Sequence, residues 1–134
     1  MNCLCYTNTL LLIPILYFFI FGQKRLTEYI LASLLIVIVI TSQIFWRKPE
    51  RETTIHKLDA IVAKIVIGSF IVYTLIYKLS SSIMRVSYWL LLAGIATSFY
   101  YSNYYSTREW CSNAHIRFHA WLHILCFIAT LYAF

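Results

Sequence analysis

From Tyr29 to Trp46 the chain carries no charged residue and is dense in Ile, Leu and Val. A helix needs about 20 mostly apolar residues to cross a bilayer, and this run is of that length. Four more runs accompany it. The first is the uncharged opening from Met1 to Gly22, with its apolar heart at Leu10–Phe21; the others are His56–Tyr77, Val86–Tyr101 and Asn113–Phe134. Backbone groups in hydrocarbon must be satisfied within the spanning segment, which a helix does and an open sheet edge does not. The expected fold class is therefore all-α: a polytopic membrane bundle of about five transmembrane helices, with residues 1–134 as a single domain.

Composition supports an integral membrane location. Hydrophobic residues make up 61% of the chain and charged residues 12%. A soluble domain of this size could not hide so much apolar surface. The formal charge is +6, from 11 Lys and Arg against 5 Asp and Glu. Those charges lie mainly in the short gaps between apolar runs, where basic side chains face headgroups. The expected partners are thus membrane lipids and no nucleic acid. Loops one and three hold Lys24, Arg25, Lys78 and Arg85; loops two and four hold Arg47, Lys48, Arg51, Lys57 and Arg108. That balance leaves the orientation open. The four cysteines, Cys3, Cys5, Cys111 and Cys126, form no disulfide framework and read as free thiols.

The gaps carry helix punctuation. Pro49 stops the second span, and Thr53 or Thr54 can cap the third. Pro14 is expected to bend the first, which reads as a retained span because no basic n-region or small-x-small cleavage site is present. The "SNYYSTREW" stretch reads as the fourth loop.

Ionisable groups concentrate in two places. "HIRFHAWLH" puts His115, His119 and His123 four residues apart in the last run. On a helix, His119 and His123 are neighbours on one face and could share one metal ion, whereas all three in file span about 12 Å. "HKLD" puts His56 and Asp59 on one face at the start of the third span, with Lys57 and Lys64 as possible partners for Asp59 and Ser42 near the end of the second. Counting spans places Ser42, Asp59 and the first half of the last helix toward one membrane face. Ionisable residues inside spans point to function. The bland alternative is a set of buried histidines hydrogen-bonded across helices.

Taken together, "TSQIFW…IHKLDAIVAKIVIGS" and "FHAWLH" resemble the CREST superfamily, which contains the alkaline ceramidases, the progestin and adiponectin receptors and the GPI-lipid remodelling proteins. The resemblance covers roughly Ser42–Ser69 and Phe118–Leu125. It implies a membrane metal-dependent hydrolase in which three histidines hold zinc. Ser42 matches the family serine, Asp59 the aspartate, and His119 and His123 the final pair. The family histidine four residues after the serine is replaced by Trp46, so His56 would have to serve as the third zinc ligand. The family usually has seven spans, and this chain offers five.

The expected function is zinc-dependent hydrolysis of lipid amide or ester bonds. Zinc on His56, His119 and His123 would activate water, Asp59 would act as general base or orient a ligand, and Ser42 would donate to the oxyanion. The alternative is a non-catalytic scaffold or lipid-binding protein of the same ancestry. A haem-binding span would rest on the histidine count alone, and no selectivity-filter motif suggests a channel. His115 is expected nearer the headgroups, with Arg117 pointing outward.

Overall fold

A computed structural model describes residues 2–134. Six helices form: α1 (Asn2–Thr9), α2 (Leu12–Phe21), α3 (Leu26–Arg47), α4 (Thr54–Tyr77), α5 (Ser82–Arg108) and α6 (Asn113–Leu131). The described residues contain no strand. Five candidate membrane spans result, because α1 and α2 together supply the first, Leu4–Phe21. The outward faces carry large apolar side chains such as Leu16, Ile20, Ile40, Ile44, Ile61, Ile65, Leu90 and Tyr100, all exposed. Against water such a surface would be untenable; against acyl chains it is the normal exterior.

Pro14 bends the first span, and the break falls at Leu10–Leu11. Proline has no N–H and its ring crowds the carbonyl four residues earlier, which here belongs to Leu10. The chain answers with three-residue turns: Leu10 N–H donates to Thr7 O, Leu11 N–H to Asn8 O and Ile13 N–H to Leu10 O. The displaced α1 then lies against α3 and α6, where Asn8 donates from Nδ2 to Val39 O at 3.1 Å.

Two loops are shorter than the sequence suggests. The helix α3 starts at Leu26, so Glu28 sits in its first turn and is fully buried. Its Oε1 accepts from Lys78 Nζ at 2.7 Å and from Tyr73 OH at 3.0 Å. The helix α5 runs on to Arg108, so most of the stretch read as the fourth loop is helical. Its polar and aromatic residues have partners on α6: Ser102 bonds His119, and Tyr101 and Tyr105 stack on Phe118. That pairing, invisible in the local sequence, keeps the segment helical.

The helices α3 and α4 pack as one pair and α5 and α6 as another, with α6 also touching α1, α2 and α4. Consecutive α4 and α5 make little direct contact. They meet near their connecting loop, where Leu75 and Leu79 join the cluster of Tyr88, Ile95, Leu122 and Ala129. Away from that loop the space between them is not filled by either helix.

At the opposite end, the loops after α3 and α5 are tied together. Trp110 Nε1 donates to Pro49 O at 3.1 Å, and the Trp46 and Trp110 rings stack 6.3 Å apart. Cys5, Cys111 and Cys126 are free; the Cys3 side chain lies outside the described residues.

Candidate functional site: an intramembrane cavity with a polar end

A cavity of about 240 Å³ occupies the middle of the bundle. It is lined from His115 to Thr130 along α6, which at 1.5 Å per residue is a run of about 22 Å. Leu35, Ile38, Val66, Phe70 and Ala129 line its deep part. Ser42, His56, Asp59 and His115 line the other end, with His119 and His123 on the wall below. Lys64, Phe99 and Asn103 line the cavity and are exposed at the same time, so they form its rim. They lie on α4 and α5, where those helices part.

The two helices that begin at the polar end start in the same way. Glu52 adopts φ 64° and Cys111 φ 59°, the left-handed region. Each is followed by a hydroxyl cap: Thr53 Oγ1 accepts from His56 N–H at 3.3 Å, and Ser112 Oγ accepts from His115 N–H at 3.2 Å. Each histidine then closes the turn from its side chain. His56 Nδ1 accepts from Glu52 N–H, and His115 Nδ1 accepts from Cys111 N–H, both at 3.2 Å. This is a relative of the capping box, in which the third helical residue reaches back toward the cap, with imidazole in place of a carboxylate. The sequence carries the pattern twice, as "ETTIH" and "CSNAH".

The caps fix two tautomers. In a neutral imidazole one nitrogen donates and the other accepts. Since Nδ1 of His56 and of His115 accepts from a backbone N–H, Nε2 carries the proton in both.

His123 has the opposite arrangement. Thr7 Oγ1 spends its proton on Leu4 O at 3.3 Å. It therefore accepts from His123 Nδ1–H at 3.0 Å, which leaves a lone pair on Nε2. His119 Nδ1 pairs with Ser102 Oγ at 3.0 Å, and the two rings lie 4.9 Å apart.

Ser42 and Asp59 meet directly. Ser42 Oγ donates to Asp59 Oδ1 at 2.5 Å, and Thr41 Oγ1 donates to the same oxygen at 3.4 Å. Neither Lys57 nor Lys64 forms the ion pair with Asp59 that the sequence suggested; among the described residues only hydroxyls bond it, both at Oδ1. Ser42 thereby has its proton committed to the carboxylate. Trp46 is buried at 3% exposure, with its ring 4.8 Å from that of His119. His56 stacks on Phe45 at 5.1 Å and packs edge-on to Trp110 at 5.3 Å, so aromatic rings link it to His119 without a direct ring contact.

All five residues expected at the site, Ser42, His56, Asp59, His119 and His123, therefore line one cavity. His115 joins them: it lies in the first turn of α6, nearer that end of the span than His119 and His123, and its side chain is turned into the bundle at 2% exposure. Arg117 is exposed. Among the described residues no three His, Cys, Asp or Glu side chains are grouped to hold a metal ion. The reason lies in the third ligand. His56 uses its lone pair to close a helix cap, and the ring packed on His119 from α3 is Trp46, whose indole has no lone pair to give a metal. His119 and His123 alone make an incomplete set for zinc, which takes at least three protein ligands in hydrolytic sites.

The Cys111 thiol, outside the spans, is held above its ordinary pKa by burial, which keeps it unreactive. The chain matches no family model, no curated protein and no solved structure.

Proposed function

We propose that this integral membrane protein binds a lipid inside its bundle, with one acyl chain running along the cavity into its apolar deep part and its polar group at the Ser42–Asp59 and histidine end. The observation that carries the reading is the shape and sorting of the cavity: a slot of about 22 Å whose imidazoles and carboxylate gather toward one end. The length of the lined run suits a single acyl chain, and apolar burial supplies the affinity. Polar groups gathered toward one end would fix the direction in which the lipid enters. This is the lipid-binding form of the resemblance drawn from "TSQIFW…IHKLD" and "FHAWLH".

Native mass spectrometry of the purified protein tests it. The wild type is expected to carry a single-chain lipid species. Ala129→Phe, which places a ring in the deep part of the slot, should remove it while helical content is retained. A wild type without bound lipid, or an Ala129→Phe variant that carries it equally, overturns the reading.

Zinc-dependent hydrolysis of a lipid amide or ester is the second reading. It is favoured by the free Nε2 lone pair on His123 and by the adjacent His119. It needs a third ligand other than His56 in its present tautomer. Metal analysis of the same preparations decides it: about one zinc per chain, lost in His123→Ala, supports hydrolysis, and a zinc-free wild type removes it.

A further inference from the structure

Among the described residues the cavity wall carries two full charges of opposite sign, Asp59 and Lys64, both on α4. They do not neutralise each other directly. Five residues put them about 140° apart around the helix, and no ion pair joins them. Ser42 and Thr41 both bond Oδ1 of Asp59, and Oδ2 has no partner among the described residues. Asp59 is 7% exposed and lines the cavity, so its free oxygen belongs to the interior. Lys64 sits near the middle of α4, at the rim where α4 and α5 part, and no carboxylate pairs with it among the described residues. A charge left without a counter-charge inside a membrane is costly and points to function.

The two charges sum to zero. A ligand with a net charge leaves one of them unbalanced, and an uncharged ligand leaves both. A ligand with separated positive and negative groups balances each. The order of the charges sets its direction. Because α4 starts at the polar end, Asp59 lies nearer the membrane face and Lys64 is anchored about 7.5 Å deeper. With an acyl chain in the deep part, a phosphodiester comes to Lys64 and an ammonium beyond it reaches Asp59. Chain, phosphate, amine is the order of groups in a zwitterionic phospholipid. The residues at that end also choose the amine. His56 and His115 have Nδ1 occupied by backbone N–H groups, so they present N–H and no lone pair. A primary ammonium, with three N–H groups to satisfy, would meet donors there. A trimethylammonium has none to satisfy and is held by charge and by ring faces; Phe45, Trp46 and Trp110 line the same end. We propose that the cavity is a site for a single-chain choline phospholipid, with its phosphate on Lys64 and its trimethylammonium between Asp59 and the aromatic rings. The inference rests on the proposed lipid cavity and names its ligand class.

Equilibrium binding of radiolabelled oleoyl lysophosphatidylcholine to the full chain in phosphatidylglycerol nanodiscs tests it, with protein-free nanodiscs as the blank. Mono-oleoylglycerol is the uncharged probe, and oleoyl lysophosphatidylglycerol carries the phosphate without the amine. Lys64→Gln is an exposed change that leaves the helix caps and the Ser42–Asp59 bond intact. It is expected to weaken binding of the choline lipid about tenfold, the loss of one charge-assisted contact, and to leave mono-oleoylglycerol unchanged. Asp59→Asn should weaken the choline lipid by a similar factor and tighten lysophosphatidylglycerol, because it removes the negative charge from the wall. Ala129→Phe should abolish binding of all three. If either charge variant binds the choline lipid as the wild type does while Ala129→Phe does not, the zwitterion site is overturned and the cavity stands. If lysophosphatidylglycerol or oleate displaces the label from the wild type at lower concentration than the choline lipid itself, a zwitterionic ligand is overturned. If lysophosphatidylethanolamine does so, the choice of choline is overturned. If no single-chain probe binds the wild type, the cavity reading fails first.

Discussion

Glu28 is the most deeply buried charged side chain in the fold, at 0% exposure. It is tied at one oxygen only: Lys78 and Tyr73 both donate to Oε1, and Oε2 has no partner. A buried carboxylate held by one cation is costly to unpair, because removing the partner strands the charge. Lys78→Met should therefore destabilise the bundle by about 3 kcal/mol, and Tyr73→Phe by about 1 kcal/mol. Thermal unfolding in lipid nanodiscs measures both, and equal midpoints for Lys78→Met and wild type would show that the pair carries no stability. The sequence hid this interaction for a plain reason. Glu28 reads as the last residue of a loop and Lys78 as the first of another, fifty positions later. Only the extension of α3 back to Leu26 and the antiparallel pairing with α4 bring them together. The same limit applies to Thr7 and His123: a hydroxyl beside the N-terminus and an imidazole in the last helix share no local signal.

The helices themselves were largely legible, since hydropathy and length set them directly. Their ends were less so. Tyr101 and the residues after it look like a polar loop, and they are helical because α6 supplies Ser102, Tyr101 and Tyr105 with partners. The caps of α4 and α6 are half legible: Thr53 is a candidate cap from its position, but a histidine in the first turn of a span suggests a metal ligand or a group near the headgroups before it suggests the partner of a cap. A serine or threonine followed three residues later by histidine is the signal that would have found both. Pro14 is the remaining element-scale determinant. Pro14→Ala restores the missing N–H and removes the ring from the Leu10 carbonyl, so α1 and α2 are expected to merge. Slower amide exchange at Leu11 and Ile13 is the measurement. Exchange rates unchanged from wild type would place the cause of the break elsewhere, in the bonds Asn8 and Thr7 make to α3 and α6.

At the scale of the whole molecule the spans alternate, so the loop at Glu52 and the loop at Glu109 share one membrane face, with those at Lys24 and Ser81 on the other. The Trp110–Pro49 bond joins the first pair directly. In a background with the native cysteines replaced by serine, Glu52→Cys and Glu109→Cys should react with an impermeant maleimide from one side of sealed vesicles, and Lys24→Cys and Ser81→Cys only from the other. Labelling of Glu52→Cys and Lys24→Cys from the same side would break the five-span arrangement. This topology also explains why the candidate site was partly legible: counting spans was enough to bring Ser42, Asp59 and the histidines to one end. The cavity was not legible, because a void is a property of packed helices and leaves no mark in any one of them.

The parting of α4 and α5 has a consequence for how the site would be supplied. Its rim, Lys64, Phe99 and Asn103, lies along the flank of the bundle. A ligand using that route travels in two dimensions, by diffusion within a leaflet. Occupancy then follows the ligand's mole fraction among bilayer lipids, not its molarity in the surrounding water. Enlarging the vesicle membrane at fixed bulk volume and fixed total ligand should empty the site by simple dilution, and adding buffer should leave it filled.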